Sequence, residues 1–167
     1  MNPVISDTSP INYLLLIGRI DLMEKLFGAV IIPSLVMREL THPRAPDAVR
    51  QWVASLPVWV TVASAAKLDV SIDLGAGETE AISLAVELGS TTLIIDDLEG
   101  RVAAQARGIH PVGTLNILEL AAENGMVDFE EAVAGLLSTN FRVHFELVDA
   151  ARARLAARGV TPSPSTD

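Results

Sequence analysis

VISDTSP, residues 4–10, is the stretch on which the predicted fold depends, because it ends a short apolar strand on an acid. Its first three residues are apolar or small, and Asp7 follows them directly. The next residues favour a helix, with Ser9 as the cap and Pro10 at the first helical position. A strand of this kind predicts a functional edge of a sheet if acids from distant parts of the sequence end there too.

Apolar stretches with the character of strands alternate with helical stretches along most of the chain. Helices are predicted between and after the strands, including two short ones separated near Gly18 and one capped by Ser34. This alternation predicts a parallel β-sheet flanked by helices, in three α/β/α layers. The predicted strands are residues 3–7, 29–33, 58–62 and 91–97, and residues 109–113 are predicted to be extended. The predicted helices lie in 11–28, 34–42, 46–57, 77–88, 99–108, 114–125, 128–138 and 144–159.

The length of 167 residues suits one sizeable core and is short for two. We therefore expect a single domain over residues 1–158, with a helical C-terminal part from about residue 128. The last stretch, residues 159–167, is rich in Pro, Ser and Thr and is predicted to be a disordered tail.

Composition excludes several classes of site. The chain has no cysteine, which excludes disulfides, thiolate catalysis and zinc–thiolate centres. No apolar run reaches the roughly eighteen residues that cross a bilayer, and the first residues lack a secretory signal, so we expect a cytoplasmic protein. The net charge of −9 argues against a broad basic face for nucleic acid, although carboxylates loaded with divalent cations reverse their own local charge.

Four acids are expected at one edge of the sheet. Asp7 and Asp96 each end a predicted strand, and the working site of a parallel sheet lies beyond the carboxyl ends of its strands. Glu39, late in a helix, and Glu78, at the start of another, can lean toward that edge. Like charges about 4 Å apart cost roughly 4 kcal/mol at an effective dielectric of 20, so such a cluster indicates bound cations. Ligands that are all oxygen select Mg²⁺ or Mn²⁺, which can activate water for phosphodiester hydrolysis.

Each acid also has a simpler interpretation. Asp7 and the pair at residues 96–97 are suited to cap the helices that follow them, and at most one of that pair is expected to face a metal. Glu78 lies in a first helical turn, where the macrodipole stabilises any carboxylate, and Glu39 alone is typical of a solvated helix residue. Glu80 lies two residues from Glu78 and faces elsewhere on the helix, so it supports the site at most indirectly.

The two stretches at residues 4–40 and 74–121, with their motifs DTSP, GAGE and IIDD in that order, closely resemble the PIN-domain family. The likeness runs from about Val4 to Glu123 and points to the branch related to VapC-like toxins of toxin–antitoxin pairs. It implies a parallel α/β sheet whose three or four acids bind Mg²⁺ or Mn²⁺ and cut RNA.

Carried onto this sequence, the resemblance implies that Asp7, Glu39 and Asp96 are catalytic metal ligands. Glu78 falls where VapC-like proteins often have Asp, so its side chain is one methylene longer. The remaining supporting and substrate residues form a second group. The resemblance implies that Thr8, Ser9 and Asp97 support the ligands without being ligands themselves. Arg101 and Arg107 lie on the helix that follows the strand-end acids, and this position predicts that they hold RNA phosphates. Exposed arginines on helices, however, usually have no specific role.

The resulting expectation is a metal-dependent endoribonuclease, the toxin of a type II pair, with a small antitoxin partner and a homodimeric assembly. The alternative is a PIN-like binding or scaffold module without catalysis. A phosphoacceptor receiver domain needs a late lysine, and no lysine follows Lys67. A haloacid-dehalogenase-type phosphatase needs an Asp where this chain has Ser9.

Overall fold

The computed structural model describes residues 2–162, and within them the chain forms five strands and nine helices. The strands are β1 (Val4–Ser6), β2 (Val30–Pro33), β3 (Val60–Ala63), β4 (Thr92–Ile94) and β5 (His110–Val112). The helices are α1 (Thr8–Leu16), α2 (Asp21–Phe27), α3 (Ser34–Leu40), α4 (Asp47–Ala54), α5 (Ala76–Glu87), α6 (Leu98–Gln105), α7 (Thr114–Glu123), α8 (Phe129–Leu137) and α9 (Phe145–Ala157). The predicted tail lies outside the described residues from residue 163 onward.

The five strands form one parallel sheet in the order β3-β2-β1-β4-β5. Ile5 of the central strand pairs with Ile31 on one side and with Leu93 on the other. The chain builds outward from β1 to β3 and then returns to place β4 on the free side of β1. The strand order therefore reverses between β1 and β4, which is where parallel α/β sheets form a crevice at their carboxyl ends. The predicted α/β class is confirmed.

The central strand is buried along its whole length, as expected for a parallel sheet covered on both faces. Ile5 and Leu93 are inaccessible to solvent and pack against the apolar side of α5. Ile82 and Ala85 on that helix are equally buried. This packing fixes the direction of β1, and with it the position of the acid that follows.

The prediction that Ser9 caps the first helix is wrong. Helix α1 begins at Thr8, with Asp7 at the cap position in extended conformation and without a side-chain capping bond. Ser9 and Pro10 therefore lie inside the first turn. The reason is that β1 passes directly into α1 without a connecting loop, so the helix starts two residues earlier than a separate turn would allow.

The prediction that Ser34 caps the next helix is also wrong. Pro33 occupies the cap position of α3, and Ser34 is its first helical residue. The Ser34 hydroxyl donates instead to the carboxylate of Glu80, at 3.0 Å. A distant side chain thus takes the place of the local cap.

The chain divides after Thr114 into two compact units. The first contains the sheet and helices α1 to α6. Within the second, Arg154 forms a double hydrogen bond to Glu119, at 2.7 and 2.8 Å, and Leu118 and Leu155 are buried. The second unit begins earlier than residue 128, and the single domain over residues 1–158 stays a prediction.

None of the helices in residues 2–162 has the length and apolar character that spanning a bilayer requires.

Candidate active site

Two acids from distant sequence lie at the point where the strand order reverses. Asp7 directly follows β1, and Asp96 lies two residues beyond β4. The Asp7 amide donates to the carbonyl of Ile94, at 2.8 Å, so the ends of the two neighbouring strands are joined by a hydrogen bond. The charges of Glu39, Glu78 and Asp96 all raise the pKa of Asp7, which places the four predicted acids in one electrostatic neighbourhood.

Asp7 is the most constrained of these acids. Its side chain is 4% exposed, and its Oδ1 atom has no hydrogen-bond partner within the described residues. Burial raises its pKa from 3.8 to about 7, the backbone N–H of Thr8 opposes that rise, and the charges of the other acids add to it. A buried oxygen without a donor is costly, so Asp7 is a place where a cation or a proton would stabilise the fold.

Hydroxyl groups hold the carboxylate of Asp96. Thr114 donates its backbone N–H to Oδ1 and its hydroxyl to Oδ2, both at 2.7 Å. The Ser9 hydroxyl also binds Asp96. Burial raises the pKa of Asp96, whereas these bonds and the charge of Arg101 lower it. Ser9 therefore hydrogen-bonds Asp96, and its predicted role in supporting a metal ligand stays a prediction.

Glu39 lies at the end of α3, exposed to solvent, and Oε2 of its carboxylate accepts a hydrogen bond from the hydroxyl of Thr8. It also lies against the backbone of α5 at Gly77. A Cβ atom at Gly77 would be 2.5 Å from Oε1 of Glu39. Only glycine therefore allows this carboxylate to approach α5 so closely.

Glu78 follows Gly77 in the first turn of α5 and is half-buried. Its pKa is raised first by burial and then by the charges of Asp97, Glu39 and Glu99. Asp97 itself caps α6, where its carboxylate accepts the backbone N–H of Gly100 at 2.9 Å. The capping interpretation of Asp97 therefore holds, and its support of a metal ligand stays a prediction.

The donor set fits a hard divalent cation by its chemistry. The groups are all oxygen, the other three acids raise the pKa of Asp7, and one buried oxygen of Asp7 lacks a donor in the part of the chain that the structure describes. Within residues 2–162, however, no three Asp, Glu, His or Cys side chains are grouped closely enough to hold an ion as they stand. The roles of Asp7, Glu39, Glu78 and Asp96 as ligands therefore stay predictions.

The two arginines predicted to hold phosphates differ in their surroundings. Arg101 donates to the carbonyl of Ile95, at 3.1 Å, and its charge acts on Asp96, so it lies beside the site. Arg107 instead forms an ion pair with Asp69, at 3.0 Å, and also bonds the Ser71 hydroxyl. A phosphate at Arg107 would have to compete with that pair.

Three residues near the acids were not predicted: Thr114, Gly77 and Tyr13, whose pKa is raised by its burial and by Asp96. Thr114 follows β5 at the same edge as the acids. Asp7 and Asp96 were predicted because they lie at the ends of strands. Applying the same criterion to residues with hydroxyl groups would have identified Thr114 as well. The other two depend on contacts between elements distant in sequence, for which the sequence carries no local signal.

The raised pKa of Asp7 predicts how stability depends on pH. Because the folded chain keeps a proton on Asp7 that the unfolded chain loses, the contribution of Asp7 to stability falls as pH rises from about 4 to about 7 and is level above that. Asp7→Asn removes this dependence. In metal-free buffer, we expect its free energy of unfolding to rise relative to the wild type by up to roughly 4 kcal/mol over this range.

Urea unfolding followed by circular dichroism measures this difference across the pH range. Asp73→Asn, the same substitution at an exposed position, is the matched control, and its difference from the wild type is expected to stay constant. A difference for Asp7→Asn that did not change with pH would contradict the assignment of a buried, protonated carboxyl.

Comparison with known proteins agrees with this arrangement. The family model DUF3368, described as a PIN domain, matches residues 3–157. No curated protein and no solved structure matches the chain. PIN domains are generally nucleases and are typically metal-dependent, which supports a nuclease-type function; the narrower VapC-like branch stays a prediction. With acids at the ends of β1 and β4 and a match over nearly all its length, the chain belongs to the PIN-domain family.

Proposed function

We propose that this chain is a divalent-metal-dependent endoribonuclease that hydrolyses RNA phosphodiester bonds. The observation that carries the proposal is the buried Oδ1 of Asp7, which has no hydrogen-bond donor among the residues that the structure describes, while the charges of three further acids raise the pKa of Asp7. Removing that repulsion requires a proton or a cation, and a PIN domain typically uses a divalent metal.

Asp7, Glu39, Glu78 and Asp96 are the groups that would hold Mg²⁺ or Mn²⁺. Such an ion supplies positive charge at the phosphodiester and polarises an attacking water. Asp7 carries a proton below about pH 7, so loading the site in acidic solution requires that proton to leave.

Neighbouring side chains orient these acids. Thr114 and Ser9 fix both oxygens of Asp96, and Thr8 fixes Glu39. These bonds fix the orientation of the two carboxylates, and at Asp96 they oppose the rise in pKa that burial causes. Thr8 thus acts on the site through Glu39, and we propose that Asp97 supports the ligands without binding the metal.

The substrate is proposed to be RNA held by its phosphates. Arg101 is the cation whose charge acts on Asp96, and we propose that its guanidinium binds a phosphate next to the acids. Arg107 would contribute only if its pair with Asp69 opened. The net charge of −9 means that binding depends on this local site and its cation.

We further propose a toxin role, with a small antitoxin partner, a homodimer and a cytoplasmic location. The support is the resemblance of DTSP, GAGE and IIDD to VapC-like toxins. An adjacent reading frame for a small protein, and growth arrest on expression that this protein relieves, are the expected results. Growth unaffected by expression would favour a stand-alone nuclease.

Asp7→Asn and Asp96→Asn are expected to reduce RNA cleavage at least about 100-fold at neutral pH in Mg²⁺ or Mn²⁺, because each removes a charge from the cluster. Cleavage of a mixed RNA pool, with and without a chelator, measures this. Asp73→Asn is the matched control and should cut like the wild type. Failure of the wild type to cut any RNA with either metal would favour the non-catalytic binding module.

Gly77→Ala tests the approach of Glu39 to α5. The added Cβ would displace the Glu39 carboxylate from its present position. We therefore expect the affinity for Mn²⁺ to fall about tenfold, which is the size of effect that moving a group at a metal site usually has. Isothermal titration calorimetry measures the affinity, and thermal unfolding checks that the fold is intact. Gly75→Ala, where a Cβ has no atom within 4 Å, is the matched control. Equal affinities in the two variants would show that metal binding does not depend on the approach of Glu39 to Gly77.

A further inference from the structure

Glu80 is a buried carboxylate whose role the proposed mechanism does not include. It lies on α5, two residues beyond Glu78, and is 3% exposed. Its side chain points at the beginning of α3. Oε2 accepts the backbone N–H of Leu35 at 2.6 Å, and both oxygens accept the Ser34 hydroxyl at 3.0 and 3.2 Å.

A third segment meets the same carboxylate. The backbone N–H of Ala65, just beyond β3, donates to Oε1 of Glu80 at 3.2 Å. Ser64 beside it donates to the hydroxyl of Ser34, at 2.8 Å. Glu80 therefore ties together α5, the start of α3 and the segment after β3. Its donors within residues 2–162 are two backbone amides and one hydroxyl, and all of them need an acceptor.

These bonds hold one end of a helix that is too short to be stable alone. Helix α3 has seven residues, well below the length at which isolated helices persist in water. Its first turn has Pro33 at the cap position and no side-chain capping bond, so Glu80 supplies the missing acceptor. The positive end of the helix dipole further favours a carboxylate there.

The other end of α3 carries Glu39. That carboxylate lies against Gly77, which is on the same helix as Glu80 and one turn before it. Helix α3 thus meets α5 at two points, at its start through the hydrogen bonds to Glu80 and at its end through the close approach of the Glu39 carboxylate to Gly77. Glu78 lies between these points, so the spacing of Glu39 and Glu78 depends on this attachment.

We propose that Glu80 is a positioning residue that holds α3 on α5 and thereby keeps Glu39 beside Glu78. The inference rests on the proposed function, because the positioned acids matter only if they bind a metal. A carboxylate is required, since it accepts hydrogen bonds on both oxygens. An amide would turn an N–H₂ group toward the N–H of Leu35 or that of Ala65.

Glu80→Gln is the test, with Glu87→Gln as the matched control. Glu87 lies on the same helix and also accepts a backbone N–H, from Ala66 at 2.7 Å, but it is exposed and does not contact the start of α3 in this way. Mn²⁺ affinity by paramagnetic resonance, steady-state RNA cleavage, and hydrogen exchange of residues 34–40 in metal-free buffer are measured on the full chain.

For Glu80→Gln we expect about tenfold weaker Mn²⁺ binding and a kcat lowered about tenfold or more, with KM for RNA within about threefold. Residues 34–40 should exchange faster, and Glu87→Gln should match the wild type in every measurement. In a Glu39→Gln background, Glu80→Gln should weaken Mn²⁺ binding by less than about twofold, because Glu80 acts through Glu39. If Glu80→Gln does not fold, Ser34→Ala removes one donor and should give a smaller change of the same kind.

Two outcomes would overturn the inference while leaving the proposed function intact. One is a Glu80→Gln variant that matches Glu87→Gln in exchange, Mn²⁺ binding and kcat. The other is a loss of Mn²⁺ affinity that is as large in the Glu39→Gln background as in the wild type. A wild-type chain that neither bound Mn²⁺ nor cut RNA would instead refute the proposed function, and the inference with it.

Discussion

The burial of one carboxyl group at the centre of the sheet is the constraint on which the site depends. Asp7 cannot swing to solvent, because β1 is paired on both sides and is buried along its length. Its Oδ1 atom receives no hydrogen bond within residues 2–162, and its neighbours are acids. The apolar packing of Ile5 and Leu93 therefore stabilises an arrangement that electrostatics alone would disperse.

The acids around Asp7 differ from it in their hydrogen bonding. Asp96 and Glu39 are each held by hydroxyl or amide donors, from Thr114 and Thr8, and Glu80 is held by the start of α3. At Asp96 these donors oppose the rise in pKa that burial causes. The site thus combines one acid that is protonated near neutrality with others that are held by donors. Such a difference between neighbouring acids is typical of functional sites.

The sheet could be predicted from the sequence because each strand is a short apolar run bounded by turn residues. The acids at the ends of β1 and β4 could be predicted as site residues because the carboxyl ends of the strands in a parallel sheet share one edge. Helix starts were less predictable. The caps assigned to Ser9 and Ser34 were wrong because the strand passes straight into the helix and, at α3, because the acceptor is Glu80, distant in sequence. No local pattern encodes a contact of that kind.

The order of the strands also bears on when the site is assembled during synthesis. Val4 pairs with Val30 early in the chain but with Thr92 only much later. A ribosome must therefore release more than half of this polypeptide before β4 can join β1 and bring Asp96 to Asp7. Any chemistry that needs both acids therefore cannot begin before the residues up to Asp96 have left the ribosome, so the first half of the nascent chain carries only part of the site.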